Sequence, residues 1–566
     1  MPLPNLPTEI KNTILQSLID DGCKVARFAT VSPGWLEIIE KHNFTNIRLT
    51  QWRISDLNRM TRRNRARIKS IWFCVELEQY DCMTCSRLYL SNEIDAATRR
   101  RTDILIMNAL EDLFVALSSW TNEGLTLDIS VYSESDARHS LKHLSCEPDF
   151  ASEEGNASRE KELTKIARGM KSDRHRKGGR VKQMLLLDHG IEKTFANIMS
   201  MHFSGHSLEA AQERRHQWWQ KLPQVPAVTR LLLRQQTQRR WHLDTVAKML
   251  HKFPNLSELH YEPWREWNDW FQEVTDRDFH SLLRIIHLKR LKKVAIFENF
   301  SEHYAYITSY ARTLSRGLAR GLGRDVLSAF PMIEVNPFTY DRSCSRIRTP
   351  NSTLGRELSF LSQHFESFAA SFMVDANEFF NSASHETSHH WPNLRFITLT
   401  SQLLSPGSSH ENIMDMLVAA AWAAKRMPRL ETLEIWNGQR RLAALFRYER
   451  KGDLHPAVIT WKGTWDLTFS DVVIDTWQSV TETWTTYGMK QVYETLDGYG
   501  IQSHADAIIQ LRLPEMVVRP VSLQQIRREQ KFGWDWIRAR DLPSIFDHLR
   551  KLHAPSGFWD TFFLRL

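Results

Sequence analysis

His385-Glu386-Thr387-Ser388-His389 matches the H-E-x-x-H pattern of zinc proteases letter for letter. That chemistry needs both histidines on one face of a stable helix, the glutamate as general base and a third ligand downstream. The surroundings argue against it: Asn381-Ser382-Ala383-Ser384 are poor helix formers, Pro392 ends any helix at once, and no Gly-x-x-His follows. Cys82-Met83-Thr84-Cys85 offers half of a zinc site, with His139 and His143 at i, i+4 spacing as the other half. The intervening stretch exceeds the loop of a zinc finger, so the cysteines read as half-buried thiols. Arg312, Arg316, Arg320 and Arg324 recur every fourth residue across Tyr310 to Leu327, with Leu314, Leu318 and Leu322 on another face. Such a ridge could receive an acidic partner or phosphate groups; it also reads as the solvated side of a core helix, softened by Gly317, Gly321 and Gly323. With no Gly-rich phosphate loop, G-x-S-x-G elbow or dinucleotide fingerprint, we assign no catalytic residue, metal or cofactor.

The elements that would position a binding surface start at the N-terminus. Ile10, Ile14, Leu15 and Leu18 form one apolar stripe at helical period. Val25, Phe28 and Ala29 predict a second helix. Ser32-Pro33 predicts the cap and first position of a third, which carries Trp35, Ile38 and Ile39. So short a unit cannot enclose a full core, and part of its apolar surface is expected to await a partner.

These residues resemble the F-box. The family's marks are a Leu-Pro-x-Glu opening, here Leu6-Pro7-Thr8-Glu9, aliphatic residues one and two turns on, and a late Val-Ser-x-x-Trp, here Val31 to Trp35. The resemblance implies docking to Skp1, and through it to a cullin, with Leu6, Pro7, Ile10, Ile14, Leu15, Leu18, Val31 and Trp35 as the contact residues. The alternative is a helical cap without a partner.

Composition sets the bounds. At 566 residues the chain exceeds one ordinary core. Its 42% hydrophobic and 25% charged residues are those of a soluble globular protein. No apolar run reaches the ~20 residues of a membrane span, and no basic-then-apolar leader opens the chain. Six cysteines in this length point to a reducing compartment, cytoplasmic or nuclear. The net charge of +8 arises from 74 basic against 66 acidic residues, too dilute to imply nucleic acid. Its clusters, among them Arg62 to Arg67 and Lys171 to Lys182, read as solvated surface, the latter alternatively as a nuclear import signal.

Along the body a phrase recurs: a proline or turn, a Leu-x-x-Leu/Ile-x-Leu strand, then an amphipathic helix. It begins at Pro226, Pro254, Pro392 and Pro428, with another strand over 291–297. Units that bury their faces only against neighbours stack as a solenoid. The predicted fold class is therefore α/β: an N-terminal three-helix F-box over 1–50, then an irregular leucine-rich-repeat-like α/β solenoid with helical insertions. Its first units span 51–146. A polar segment over 147–182 is expected to be disordered. The main body covers 183–566, with a helical insertion at 299–391 that includes an amphipathic helix from Leu358 to Phe380, and with a basic helical tail. An ordinary α/β domain with parallel strands is the alternative.

With the whole chain in view, it resembles a family of F-box proteins from filamentous fungi. The phrases that carry this are Ile71 to Cys85, Leu222 to Arg240, Tyr261 to Arg265, Ser371 to Phe380 and Ile459 to Trp465. The implied role is the substrate-recognition subunit of a Skp1–cullin–F-box ubiquitin ligase, with an unidentified target protein on the strand-lined face or the inserted loops. A repeat scaffold without ligase assembly is the alternative.

Overall fold

Strand residues alternate between two faces, and here both faces are covered. In the computed structural model, the described residues are 6–533 apart from 22, 24, 81–91, 122–123, 137–145, 150–196, 200–207, 238, 267–268, 289–290, 301–346, 386–389, 453–454 and 485–486. Helices α1 (Thr8–Asp20) and α2 (Pro33–Thr45) flank a single 3-10 turn, Val25–Phe28, where the sequence predicts a full second helix.

Among the described residues twelve strands form one sheet in chain order: β1 Asn46–Thr50, β2 Ser70–Glu76, β3 Leu125–Tyr132, β4 Val228–Leu233, β5 Glu258–Tyr261, β6 Lys293–Phe297, β7 Ser367–Asp375, β8 Phe396–Thr400, β9 Thr432–Gln439, β10 Leu442–Glu449, β11 Ala457–Gly463 and β12 Met489–Thr495. Every neighbouring pair is parallel except β9–β10 and β10–β11, so β10 alone runs against the rest. The helices after α2 are α3 Ile54–Thr61, α4 Asn92–Ser118, α5 Leu208–Lys221, α6 Leu243–His251, α7 Asp269–Leu288, α8 Ser352–Ser362, α9 Ala376–His385, α10 His410–Ala424, α11 Asp471–Trp484, α12 His504–Leu511 and α13 Pro520–Gly533. The fold is mixed α/β.

One face of the sheet packs on the helices from α3 to α11 in a single continuous core, using residues such as Ile71, Phe73, Leu127, Leu259, Ile397 and Leu433. Burying these aliphatic and aromatic side chains is worth about 1.5–3 kcal/mol each, and it decides the strand register. A second, smaller core lies on the opposite face, where α12 and α13 meet Phe297, Phe372, Trp436 and Leu445.

One expectation changes. The segment 358–380, predicted as one helix, divides into α8, the buried strand β7 and α9. Phe368 to Val374 is a short apolar run whose pattern does not distinguish a buried strand from a buried helix; its place between β6 and β8 settles the matter. The segment 147–182 lies outside the described residues except Glu147, Pro148 and Asp149, and the two carboxylates there pair with α13 and the loop before it rather than standing in solvent.

Candidate partner-docking surface

The N-terminal unit has a four-residue core of Leu15, Val25, Trp35 and Ile39, with Leu18, Ile19, Phe28 and Ile38 packed around it. Ser32 Oγ accepts a hydrogen bond from the Trp35 amide at 3.1 Å, the predicted cap. The Trp35 ring then meets Phe28 edge-on, centroids 6.2 Å apart. This closure divides the predicted contact set. Leu15 and Trp35 are buried inside the unit, and Leu6 and Leu18 are half-buried. Pro7, Ile10, Ile14 and Val31 remain exposed, Ile10 at 48% and Val31 at 52%. Leu15 and Trp35 are thus core residues of the unit itself. Ile10 and Ile14, one turn apart, keep an apolar stripe of α1 in solvent.

The Arg62 to Arg67 cluster ties this unit to the sheet. Arg67 Nη2 lies 3.5 Å from Glu37 and its Nη1 3.7 Å from Glu40, while Arg63 reaches Glu40 at 3.5 Å. Arg62 and Arg63 remain exposed, as a solvated surface requires, while these pairs also bring the cluster against the N-terminal unit.

The face opposite the main helix layer carries charge. Arg234, just past β4, donates from Nε at 2.9 Å and Nη2 at 2.6 Å to Asp128 in the middle of β3. Burial pushes the Asp128 carboxyl up to about 6 while the guanidinium draws it back. Beside it, Ser130 Oγ accepts from Trp72 Nε1 at 3.0 Å and from Gln236 Nε2 at 2.7 Å. Arg239 pairs with Asp136, and Arg348 bridges Glu298 and Asp276. Near the carboxyl ends of β3, β4 and β6, where open α/β sheets usually hold ligands, the described Arg234, Arg239 and Arg348 are engaged by the chain's own carboxylates.

The C-terminal helices close this face. Glu262, following β5, accepts from the amides of Gln235 at 3.1 Å and Arg519 at 2.8 Å, and from the Ser522 hydroxyl. Gln235 Nε2 donates to the Ser522 carbonyl at 2.7 Å. Arg519 pairs with Asp149, and Arg528 with Glu147. From α12, His504 stacks on Phe300 with centroids 4.3 Å apart and shares a 2.9 Å hydrogen bond with Asn299 Oδ1. Burial pulls its pKa down to about 3. Phe372 completes this box from a bulge in β7, with φ of 59° and its amide on Thr400 Oγ1 at 2.7 Å. The strand-lined face expected to receive a target is occupied from β6 to β10 by α12 and α13.

An open cleft of about 960 Å³ lies at the opposite ends of β8 and β9, lined by Arg395, Arg429, Glu431, Arg450 and Trp484 among others. Arg395 is paired with Glu431, and Arg450 donates to the Pro428 carbonyl at 2.8 Å. Its lining includes neither cysteine, serine nor histidine to act as nucleophile or base.

Arg312, Arg316, Arg320 and Arg324 lie outside the described residues, as do Cys82, Cys85, His139, His143, Glu386 and His389; His385 is the last residue of α9. Among the described residues no three His, Cys, Asp or Glu side chains are grouped to hold a metal ion, and no helix is long and apolar enough to cross a membrane. Residues 285–519, from the end of α7 to the approach of α13, are similar to a family of unknown function (DUF6546). No curated protein matches the chain.

Proposed function

We propose that this chain is the substrate-recognition subunit of a Skp1–cullin–F-box ubiquitin ligase, docking on Skp1 through the exposed side of α1. The observation that carries this reading is the exposed pair Ile10 and Ile14 on a helical unit whose own core already holds Leu15 and Trp35. An aliphatic stripe left in solvent beside a completed core is what a helix-in-groove contact uses. The sequential, mostly parallel sheet would then be a leucine-rich-repeat-like solenoid that holds a target at a fixed distance from the conjugating enzyme. The chain would perform no chemistry; it would raise the local concentration of its target.

The test is capture of Skp1 by the full-length chain and by an Ile10→Asp/Ile14→Asp variant. Binding by the wild type, lost in the variant with circular dichroism unchanged, is the expected result. Absence of binding by the wild type would sink the reading.

A second reading, a repeat scaffold on which α1 and α2 are a cap, is favoured by the Glu37 and Glu40 ion pairs that fasten the unit to Arg63 and Arg67. Under it, the wild-type chain captures no Skp1.

A further inference from the structure

Among the described residues the last strand of the sheet, β12, is an open edge. Six of its seven residues are exposed, Val492 at 37% and Tyr493 at 45% among them. It carries no proline, and its ladder to β11 runs from Ala457↔Met489 to Gly463↔Thr495 without a register shift. No described segment pairs with its outer side.

Two hydrogen bonds fix which backbone groups are open. The Gly488 carbonyl accepts from the Ala457 amide at 3.1 Å, and the Leu496 amide donates to the Gly463 carbonyl at 2.7 Å. Since backbone polar groups alternate sides along a strand, Lys490, Val492 and Glu494 also face β11. Met489, Gln491, Tyr493 and Thr495 therefore present their N–H and C=O groups outward.

We infer that β12 pairs antiparallel with β12 of a second copy of this chain, across a two-fold axis at Val492. In that register Met489 faces Thr495 of the other copy and Gln491 faces Tyr493, so the outward backbone groups of these four residues find partners. Lys490 falls opposite Glu494 twice, once on each side of the axis, and Val492 meets Val492 at the closer, non-hydrogen-bonded spacing. Moving the axis to Gln491 or Tyr493 sets Lys490 and Glu494 opposite uncharged residues, so charge selects the centred register. Within one copy Glu494 already pairs with Lys462, its neighbour on β11, at 2.9 Å, so Lys490 of the other copy would extend that pair into a small network. A self-complementary strand closes as a dimer, whereas pairing β12 to another element of a second copy would propagate into fibres.

Sedimentation velocity of the full-length chain, up to about 50 μM, tests this. The wild type is expected to dimerise reversibly. Gln491→Pro removes an outward N–H that the monomer does not use, and it should sediment as a monomer with unchanged circular dichroism. Lys490→Glu faces Glu494 with a like charge on both sides of the axis, which raises the dimer dissociation constant by about tenfold. A monomeric wild type, or a dimer unaltered in both variants, overturns the inference.

Discussion

Arg234 places both Nε and Nη2 on the same carboxylate oxygen of Asp128, at 2.9 and 2.6 Å, with both side chains removed from water. The pair joins the loop after β4 to the centre of β3, and Arg234 Nη2 also donates to the Glu147 carbonyl at 2.9 Å. Taking out one partner strands the other as a buried charge. Arg234→Met is expected to cost about 3–5 kcal/mol, read by denaturant unfolding. Adding Asp128→Asn should recover a large part of it; a loss that simply adds would show that the two side chains are not coupled.

Stability should carry the imprint of His504. The unfolded chain takes up a proton near the ordinary value of 6.5, and the folded chain refuses it until about pH 3. Its contribution therefore rises with pH across that window and is fully present above it. Asp128 acts in the opposite sense between its ordinary 3.8 and about 6, where the folded state keeps the proton longer. His504→Phe removes the imidazole's contribution, leaving Asp128 in opposition and Glu258, whose carboxyl is drawn down to about 2, still acting in the same sense below its ordinary 4.5. The slope of unfolding free energy between pH 4 and 6 is expected to fall by up to about 1.4 kcal/mol per pH unit. An unchanged slope would mean that the imidazole is not held neutral.

Gly34→Ala and Gly355→Ala should move stability in opposite directions although both lie in helices. A Cβ on Gly34 has Ser32 Oγ 4.0 Å away as its nearest neighbour, and the substitution should gain up to about 1 kcal/mol. On Gly355, in α8, it would stand 2.8 Å from Glu378 Cβ and 3.0 Å from the Glu378 carbonyl carbon in α9. Separating these helices should cost about 1–3 kcal/mol despite the better propensity. Thermal unfolding of the two variants beside the wild type checks the signs.

The N-terminal unit separates folding from docking. Trp35→Ala empties the centre of a four-residue core and should cost about 3–5 kcal/mol locally, seen as early protease cleavage before β1. Ile10→Asp, on an exposed side chain, should leave that cleavage unchanged. Equal sensitivity in both variants would place Ile10 in the core as well.

Local pattern made much of this architecture legible. The stripe of α1, the Ser32 cap and the recurring proline–strand–helix phrase each arise from residues close together in the chain, and short-range geometry is enough to produce them. Strand β7 escaped because Phe368 to Val374 suits either periodicity, and β12 because Met489-Lys490-Gln491 has the polar look of a loop. The charged face escaped for another reason. Asp128 and Ser130 alternate with Leu127, Ile129 and Val131, which marks a polar side of β3 but not whether water reaches it.

Which residues share a face of each element is written into the local chain: Ile10 with Ile14 on α1, and Asp128 with Ser130 on β3. Which of those faces are covered depends on the folded arrangement. Arg519 and Ser522 reach Glu262 from far along the chain, and Trp35 rather than a partner closes over Leu15. Sharing a face follows from the backbone repeat of a single element. Burial depends on where remote segments land, through packing and charge pairing that no local pattern encodes.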